Sequence, residues 1–163
     1  MLVYSLCADN IKGEKFREFI SYCLEQSTYF SLTLHDCNED IKNNALAEID
    51  KYSYKSIQTY SWYCYKTFEK PLSISLYYST KELADWFVNF FNSLFEFESQ
   101  GIEDICFFRN KNLLFGSVSH EKIAQLFLSS EKEILKYETY SRWEKISIHQ
   151  DKEYIPDLEI YLT

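Results

Sequence analysis

Two runs of alternating residues, close together in the chain, constrain the fold more than any other feature. Residues 56–67 set Tyr60, Trp62 and Cys64 against Thr59, Ser61, Tyr63 and Tyr65. Residues 72–78 set Leu72, Ile74, Leu76 and Tyr78 against Ser73, Ser75 and Tyr77. A period of two marks a strand, because successive side chains point to opposite faces. The link Phe68-Glu69-Lys70-Pro71 is short. Parallel neighbours need a crossover of about a dozen residues or more, so an antiparallel hairpin is expected.

The rest of the chain follows the same pattern. Residues 104–109 and 112–118 form a second expected hairpin, turning at Arg109-Asn110-Lys111-Asn112. Leu2, Tyr4 and Leu6 suggest a first strand, 28–35 another, and 145–149 and 157–162 closing strands. Between them lie helical patterns. Residues 13–26 place Phe16, Phe19, Ile20, Cys23 and Leu24 on one face. A short helix is expected over 38–50. A long one is expected from about 80 to 96, opened by Ser79 and Glu82 as a capping box. Ser119 is expected to cap a helix carrying Ile123, Ala124, Leu126 and Phe127, with a second capping box at Ser130 and Glu133. No repeat or linker divides residues 1–163. The reading is one α+β domain, a mainly antiparallel sheet with packed helices. Its expected core includes Phe19, Leu24, Phe87, Phe91, Leu94, Leu114, Phe127 and Ile160.

Composition narrows the function. The chain has 163 residues, 46% hydrophobic and 18% aromatic. A chain of this mass folds to about 8,600 Å² of surface, enough burial to need neither disulfide nor metal. Its three glycines are Gly13, Gly101 and Gly116, so neither a dinucleotide fingerprint nor a P-loop can be written. The net charge of −8 disfavours direct binding to nucleic acid or anionic lipid. From Lys81 to Asp104 there are six acids, Glu82, Asp85, Glu96, Glu98, Glu103 and Asp104, and one base. The five cysteines, at 7, 23, 37, 64 and 106, are widely spaced without a C-x-x-C, which fits free thiols in a reducing compartment. The first residues lack the basic and apolar regions of a signal peptide, and no apolar run is long enough to span a bilayer, so a cytoplasmic location is expected.

No stretch carries a catalytic or metal-binding signature. His35, Asp36 and Cys37 hold the residue types of a thiol nucleophile and its base, but a strand end before a helix accounts for them equally. Three histidines and scattered cysteines give no known ligand spacing, so no metal or other cofactor is expected. His120 and Glu121 fail the zincin pattern, since residue 124 is Ala124, and suit a helix N-terminus. The pairs Glu103/Asp104 and Asp151/Glu153, and the isolated His149, read as surface groups. The aromatic cluster Tyr52, Tyr54, Tyr60, Trp62, Tyr63, Tyr65, Tyr77 and Tyr78 is more informative, because it puts aromatics on both faces of one hairpin. Either helices cover both faces or one face meets a partner. Tyrosine and tryptophan are enriched in binding hot spots.

Small size, excess acid, few Gly and Pro, free thiols and many Tyr and Trp together resemble the immunity proteins of bacterial toxin systems. These are the antidotes to colicins, contact-dependent inhibition toxins and related polymorphic toxins. The run from Phe107 through Gly116 to Glu121 is similar to the strand–turn–strand–helix segment of several immunity-like domains. The resemblance implies a non-enzymatic inhibitor that binds a cognate toxin domain, expected to be a basic nuclease, and occludes its active or substrate-binding surface. Trp62, Tyr63 and Tyr65 are the expected anchors where exposed, and Glu82, Asp85, Glu96, Glu98, Glu103 and Asp104 the expected electrostatic contacts. A small cytosolic enzyme and an adaptor or homodimeric module are the alternatives.

Overall fold

In a computed structural model, which describes residues 1–35, 39–96, 101–147 and 154–162, one sheet organises the molecule. Its eight strands are β1 (Leu2–Leu6), β2 (Tyr29–Leu34), β3 (Ser53–Thr59), β6 (Leu72–Tyr78), β7 (Ile102–Arg109), β8 (Asn112–Val118), β9 (Ile123–Leu128) and β10 (Trp143–Ile146). Their order across the sheet is β10-β1-β9-β8-β7-β2-β6-β3, and every described pairing is antiparallel. Two short strands, β4 (Ser61–Trp62) and β5 (Tyr65–Lys66), form a separate hairpin. The helices are α1 (Gly13–Gln26), α2 (Glu39–Ala47), α3 (Ala84–Phe91) and α4 (Ile134–Tyr137). The chain is a single α+β domain, and its 8704 Å² of accessible surface matches the about 8,600 Å² expected for its mass.

Each face of the sheet carries its own core. On one face α1 buries Phe16, Phe19, Ile20, Cys23 and Leu24 against Phe30, Phe107 and Phe115, with Phe87 and Phe91 of α3 alongside. On the other face Ile74, Cys106, Phe108, Val118 and Phe127 are covered by Trp62 and Tyr63 of the small hairpin and by Leu158. Each fully buried Phe or Leu contributes about 1.5–3 kcal/mol from apolar burial. Seven of the expected core residues, Phe19, Leu24, Phe87, Phe91, Leu94, Leu114 and Phe127, are buried. Ile160 is not: it is 70% exposed, because 158–160 is a turn of 3-10 helix and not a strand. That turn directs Leu158 inward and Ile160 away. Cys7, Cys23, Cys64 and Cys106 are free thiols, and Cys37 lies outside the described residues.

Three further expectations need correction. The 80–96 helix is shorter: a 3-10 turn at Lys81–Leu83 leads into α3, which ends at Asn92 with φ +49°. Beyond it, Leu94 donates its N–H to the Ile11 carbonyl at 3.0 Å and Phe95 to the Asn10 side chain at 3.1 Å. Leu94 and Phe95 are thus buried from a turn and not from a helix. The helix expected after Ser119 is strand β9. Ala124, Leu126 and Leu128 face the helical core while Phe127 faces the other, so the run is buried on both sides and mimics helical spacing. Residues 119–122 are instead the turn from β8, closed by Lys122 at φ +54°. Lastly, the alternation at 56–67 is not one strand. β3 ends at Thr59, and the chain turns back through Tyr63 and Cys64, the latter at φ +54°.

The capping box at Ser130 and Glu133 is half realised. Glu133 Oε1 accepts from the Ser129 and Ser130 N–H groups at 2.9 and 3.2 Å, and Oε2 accepts from Arg109 at 2.7 Å. Burial opposes ionisation of Glu133, but the Arg109 guanidinium and these N–H donors outweigh it and hold the carboxyl below its usual range. A depressed folded pKa gives stability that is present above the unfolded carboxyl pKa of about 4.3 and lost as pH falls through the folded value. Glu133→Gln is therefore expected to cost about 1–2 kcal/mol at pH 7. In urea titrations across pH, the gap between the two proteins should close at acid pH.

Candidate functional site

At one end of strands β2, β7 and β8 the sheet brings together polar groups that are far apart in sequence. β2 ends at Leu34, and His35 follows with its N–H donated to the Gly101 carbonyl at 2.7 Å. β7 begins beside it with Ile102, Glu103 and Asp104. Here the pairing slips: Ser31 pairs with Cys106 but Thr33 with Glu103, so β7 spends one residue more than β2. The extra residue is a β-bulge, and Asp104 takes up its turn at φ +57°. Ile102 and Ile105 both reach the helical core across this bulge. The two acids between them are held at the end of the sheet.

The acids are buried. Glu103 is 8% exposed and Asp104 7%. His35 Nε2 lies 3.2 Å from Glu103 Oε1 and 3.6 Å from Asp104 Oδ2. His120, on the β8–β9 turn, places Nδ1 3.9 Å from Glu103 Oε1 and Nε2 3.7 Å from Glu121 Oε1. Asp104 Oδ1 accepts from the Ser119 N–H at 2.8 Å, and the Asp104 N–H is donated to Ser119 Oγ at 3.3 Å. This exchange locks the β8–β9 turn to the bulge. Tyr65 presents itself edge-on to both imidazoles, with ring centroids 6.2 Å from His35 and 6.5 Å from His120. Two carboxylates and two imidazoles so arranged can exchange protons or share a cation.

The expected partner-binding residues are dispersed. Trp62 and Tyr63 are each 2% exposed, packed into the second core, and are not surface anchors in the free protein. Tyr65 is half-buried over the imidazoles. Glu103 and Asp104 are corrected likewise: they belong to the buried cluster and not to a charged rim. Glu98 lies outside the described residues, as do Cys37, His149, Asp151 and Glu153. Three acids remain exposed. Glu82 accepts from the Tyr52 hydroxyl at 2.9 Å, Asp85 pairs with Arg17, and Glu96 stands 4.0 Å from Lys12 Nζ. Glu96 is beside the start of α1 and Asp85 beside Arg17 further along that helix, while Glu82 follows shortly after the end of β6.

That end of β6 carries the most exposed aromatic group. Tyr29, Tyr54 and Tyr78 pack mutually, with centroids 5.2 Å (Tyr29–Tyr54), 5.5 Å (Tyr29–Tyr78) and 4.8 Å (Tyr54–Tyr78) apart. Tyr54 and Tyr78 are 39% and 45% exposed. Both belonged to the aromatic cluster visible in the sequence, but alternation could not say which members would face solvent. Tyr29 packs on the second core, so the tyrosine cluster lies on that face of the sheet, whereas Glu82, bonded to Tyr52, and Asp85, paired with Arg17 of α1, lie on the helical face. β3, the outermost strand there, pairs only with β6 among the described residues. Among the described residues, no helix is long and apolar enough to cross a membrane. No family model, curated protein or solved structure matches this chain.

Proposed function

We propose that this chain is a toxin-neutralising protein of the immunity class, which binds a basic nuclease domain and occludes its active or substrate-binding surface. The observation that carries the reading is the Tyr29/Tyr54/Tyr78 cluster, partly exposed near the edge of the sheet. Exposed, mutually braced tyrosines offer large contact area at little entropic cost, because their rings are already held. Exposed carboxylates elsewhere on the surface, Glu82 and Asp85 among them, speed encounter with a cationic partner. An edge strand with free backbone groups adds a means of fixing orientation. The acid excess of the chain fits a partner that is itself not nucleic acid but binds it.

Co-expression with the toxin domain encoded by the adjacent gene tests the reading. Cells should survive, and the two proteins should co-purify. Tyr54→Ala and Tyr78→Ala should each raise the dissociation rate by roughly 10–30-fold, about 1.4–2 kcal/mol. Glu82→Lys with Asp85→Lys should chiefly slow association and flatten its salt dependence. Survival no better than without the protein, or failure to co-purify, would overturn the proposal. A small enzyme is the second reading, and the cluster of His35, Glu103, Asp104 and His120 favours it. Turnover abolished by Glu103→Gln would support that alternative. Self-association through β3, seen by sedimentation and lost with Tyr54→Ala, would support a homodimeric module.

A further inference from the structure

We propose that His35, Glu103, Asp104 and His120 form a binding site for a divalent transition-metal ion of the zinc type. The inference is independent of the toxin-binding reading and rests on different residues. Zinc is held by imidazole nitrogens and carboxylate oxygens at about 2.0–2.2 Å, so donors sharing one ion stand roughly 2.9–3.5 Å apart. His35 Nε2 is already 3.2 Å from Glu103 Oε1 and 3.6 Å from Asp104 Oδ2. One ligand atom from each of these three residues lies within 4.8 Å of the other two. His120 Nδ1 is 3.9 Å from Glu103 Oε1, outside the compact group of three, and is the fourth donor once its side chain on the exposed turn swings inward. The remaining contraction is on the order of 1 Å, within reach of carboxylate and imidazole rotation.

The surroundings match what a metal site needs. The bulge at Asp104 delivers two neighbouring acids to one place, which a regular strand would send to opposite faces. Two carboxylates only 8% and 7% exposed are a concentrated buried charge that a divalent cation neutralises. Outer partners orient the donors. The Ser119 N–H occupies Asp104 Oδ1 and leaves Oδ2 facing His35. Glu121 stands beside His120 Nε2, so that Nδ1 faces inward. The two imidazoles are the exposed side of the cluster, 32% and 42%, and provide the way in. Two nitrogen donors select against magnesium and calcium, which take oxygen ligands, and favour zinc, cobalt or nickel.

The test uses the full chain, stripped of metal with a chelator, in a Cys7→Ser background that removes the exposed thiol as a competing ligand. Calorimetric titration with Zn²⁺ should give one site per chain with Kd of about 1 µM or below. Titration with Co²⁺ should give a visible absorption band saturating at the same stoichiometry. His35→Ala with His120→Ala should weaken Zn²⁺ binding on the order of 100-fold and abolish the cobalt band. Absence of one-to-one binding, or affinity undiminished in the double variant, overturns the proposal. Should the double variant fail to fold by circular dichroism, His120→Gln on the exposed turn gives the same decision: undiminished affinity overturns it, and at least about 10-fold loss sustains it.

Discussion

Phe19→Ala is expected to destabilise the protein by about 3–5 kcal/mol, the range for truncating a fully buried aromatic side chain. Phe19 has no exposed surface and stands at the centre of an aromatic cage. Its ring centroid lies 5.2 Å from Phe115, 6.0 Å from Trp143, 6.2 Å from Tyr140 and 6.3 Å from Tyr137. These neighbours come from β8, β10 and the α4 region, so the cavity cannot be closed by moving one element. Beyond lost burial, aromatic pairs are worth about 0.5–1.5 kcal/mol each. Domains of this size have about 5–15 kcal/mol in total, and each kcal/mol shifts the melting temperature by about 2–4 °C. A fall in Tm of roughly 6–20 °C should follow. Phe19→Leu, which keeps most of the volume, should cost less than half as much; equal losses would show that the cage does not act as described.

Gly116→Ala is expected to cost about 3 kcal/mol, at the upper end for overpacking a core. Gly116 sits in β8 directly beneath the Tyr63 ring. An added Cβ would stand 2.7 Å from Cδ1 and 2.8 Å from both Cε1 and Cγ. Contacts that close force something to move, and Tyr63 is held at both ends. Its backbone lies in the tight β4–β5 turn, and its hydroxyl donates to Gln125 Oε1 at 2.5 Å. Burial pushes the Tyr63 hydroxyl well above its ordinary pKa, so it remains a donor throughout the accessible pH range. The clash is thus borne by the hairpin as a whole. Urea midpoints of Gly116→Ala, Tyr63→Ala and the double variant should be strongly non-additive, with the double variant more stable than the sum predicts. Simple additivity would mean that the ring and the glycine are not coupled.

The parts of the fold legible in the sequence are those with one exposed face. The α1 stripe of Phe16, Phe19, Ile20, Cys23 and Leu24 could be read because Lys15, Glu18 and Glu25 mark its wet side. β6 alternates cleanly for the same reason. β9 has no wet side, and so its apolar residues Ile123, Ala124, Leu126 and Phe127 match a helix as well as a strand. Ile160 was misassigned because a 3-10 turn and a short strand both place residues 158 and 160 two apart, and only the turn separates them. Of the anchors, Trp62 and Tyr63 were chosen for residue type, which says nothing of whether a hairpin folds onto the sheet or away from it. The sequence singles out His35, the pair Glu103/Asp104 and His120 separately, but nothing along the chain joins them into one cluster. Its donors are joined by strand pairing and by one bulge, and neither leaves a spacing along the chain. The positive φ of a non-glycine residue, Asp104, is visible only in space.

The strand order also has a consequence in time. β1, the first strand of the sheet to be made, lies between β9 and β10, its last. The distance along the chain from Leu6 to Ile123 is 117 residues. At about 5–20 residues per second of synthesis, β1 waits roughly 6–23 s for its first neighbour. For most of that interval β2 also lacks its later partner β7, and the Phe-rich face of α1 lacks the later strands that cover it. Nascent chains of this protein therefore expose apolar surface until most of the polypeptide has left the ribosome. Loop closures this long make folding slow.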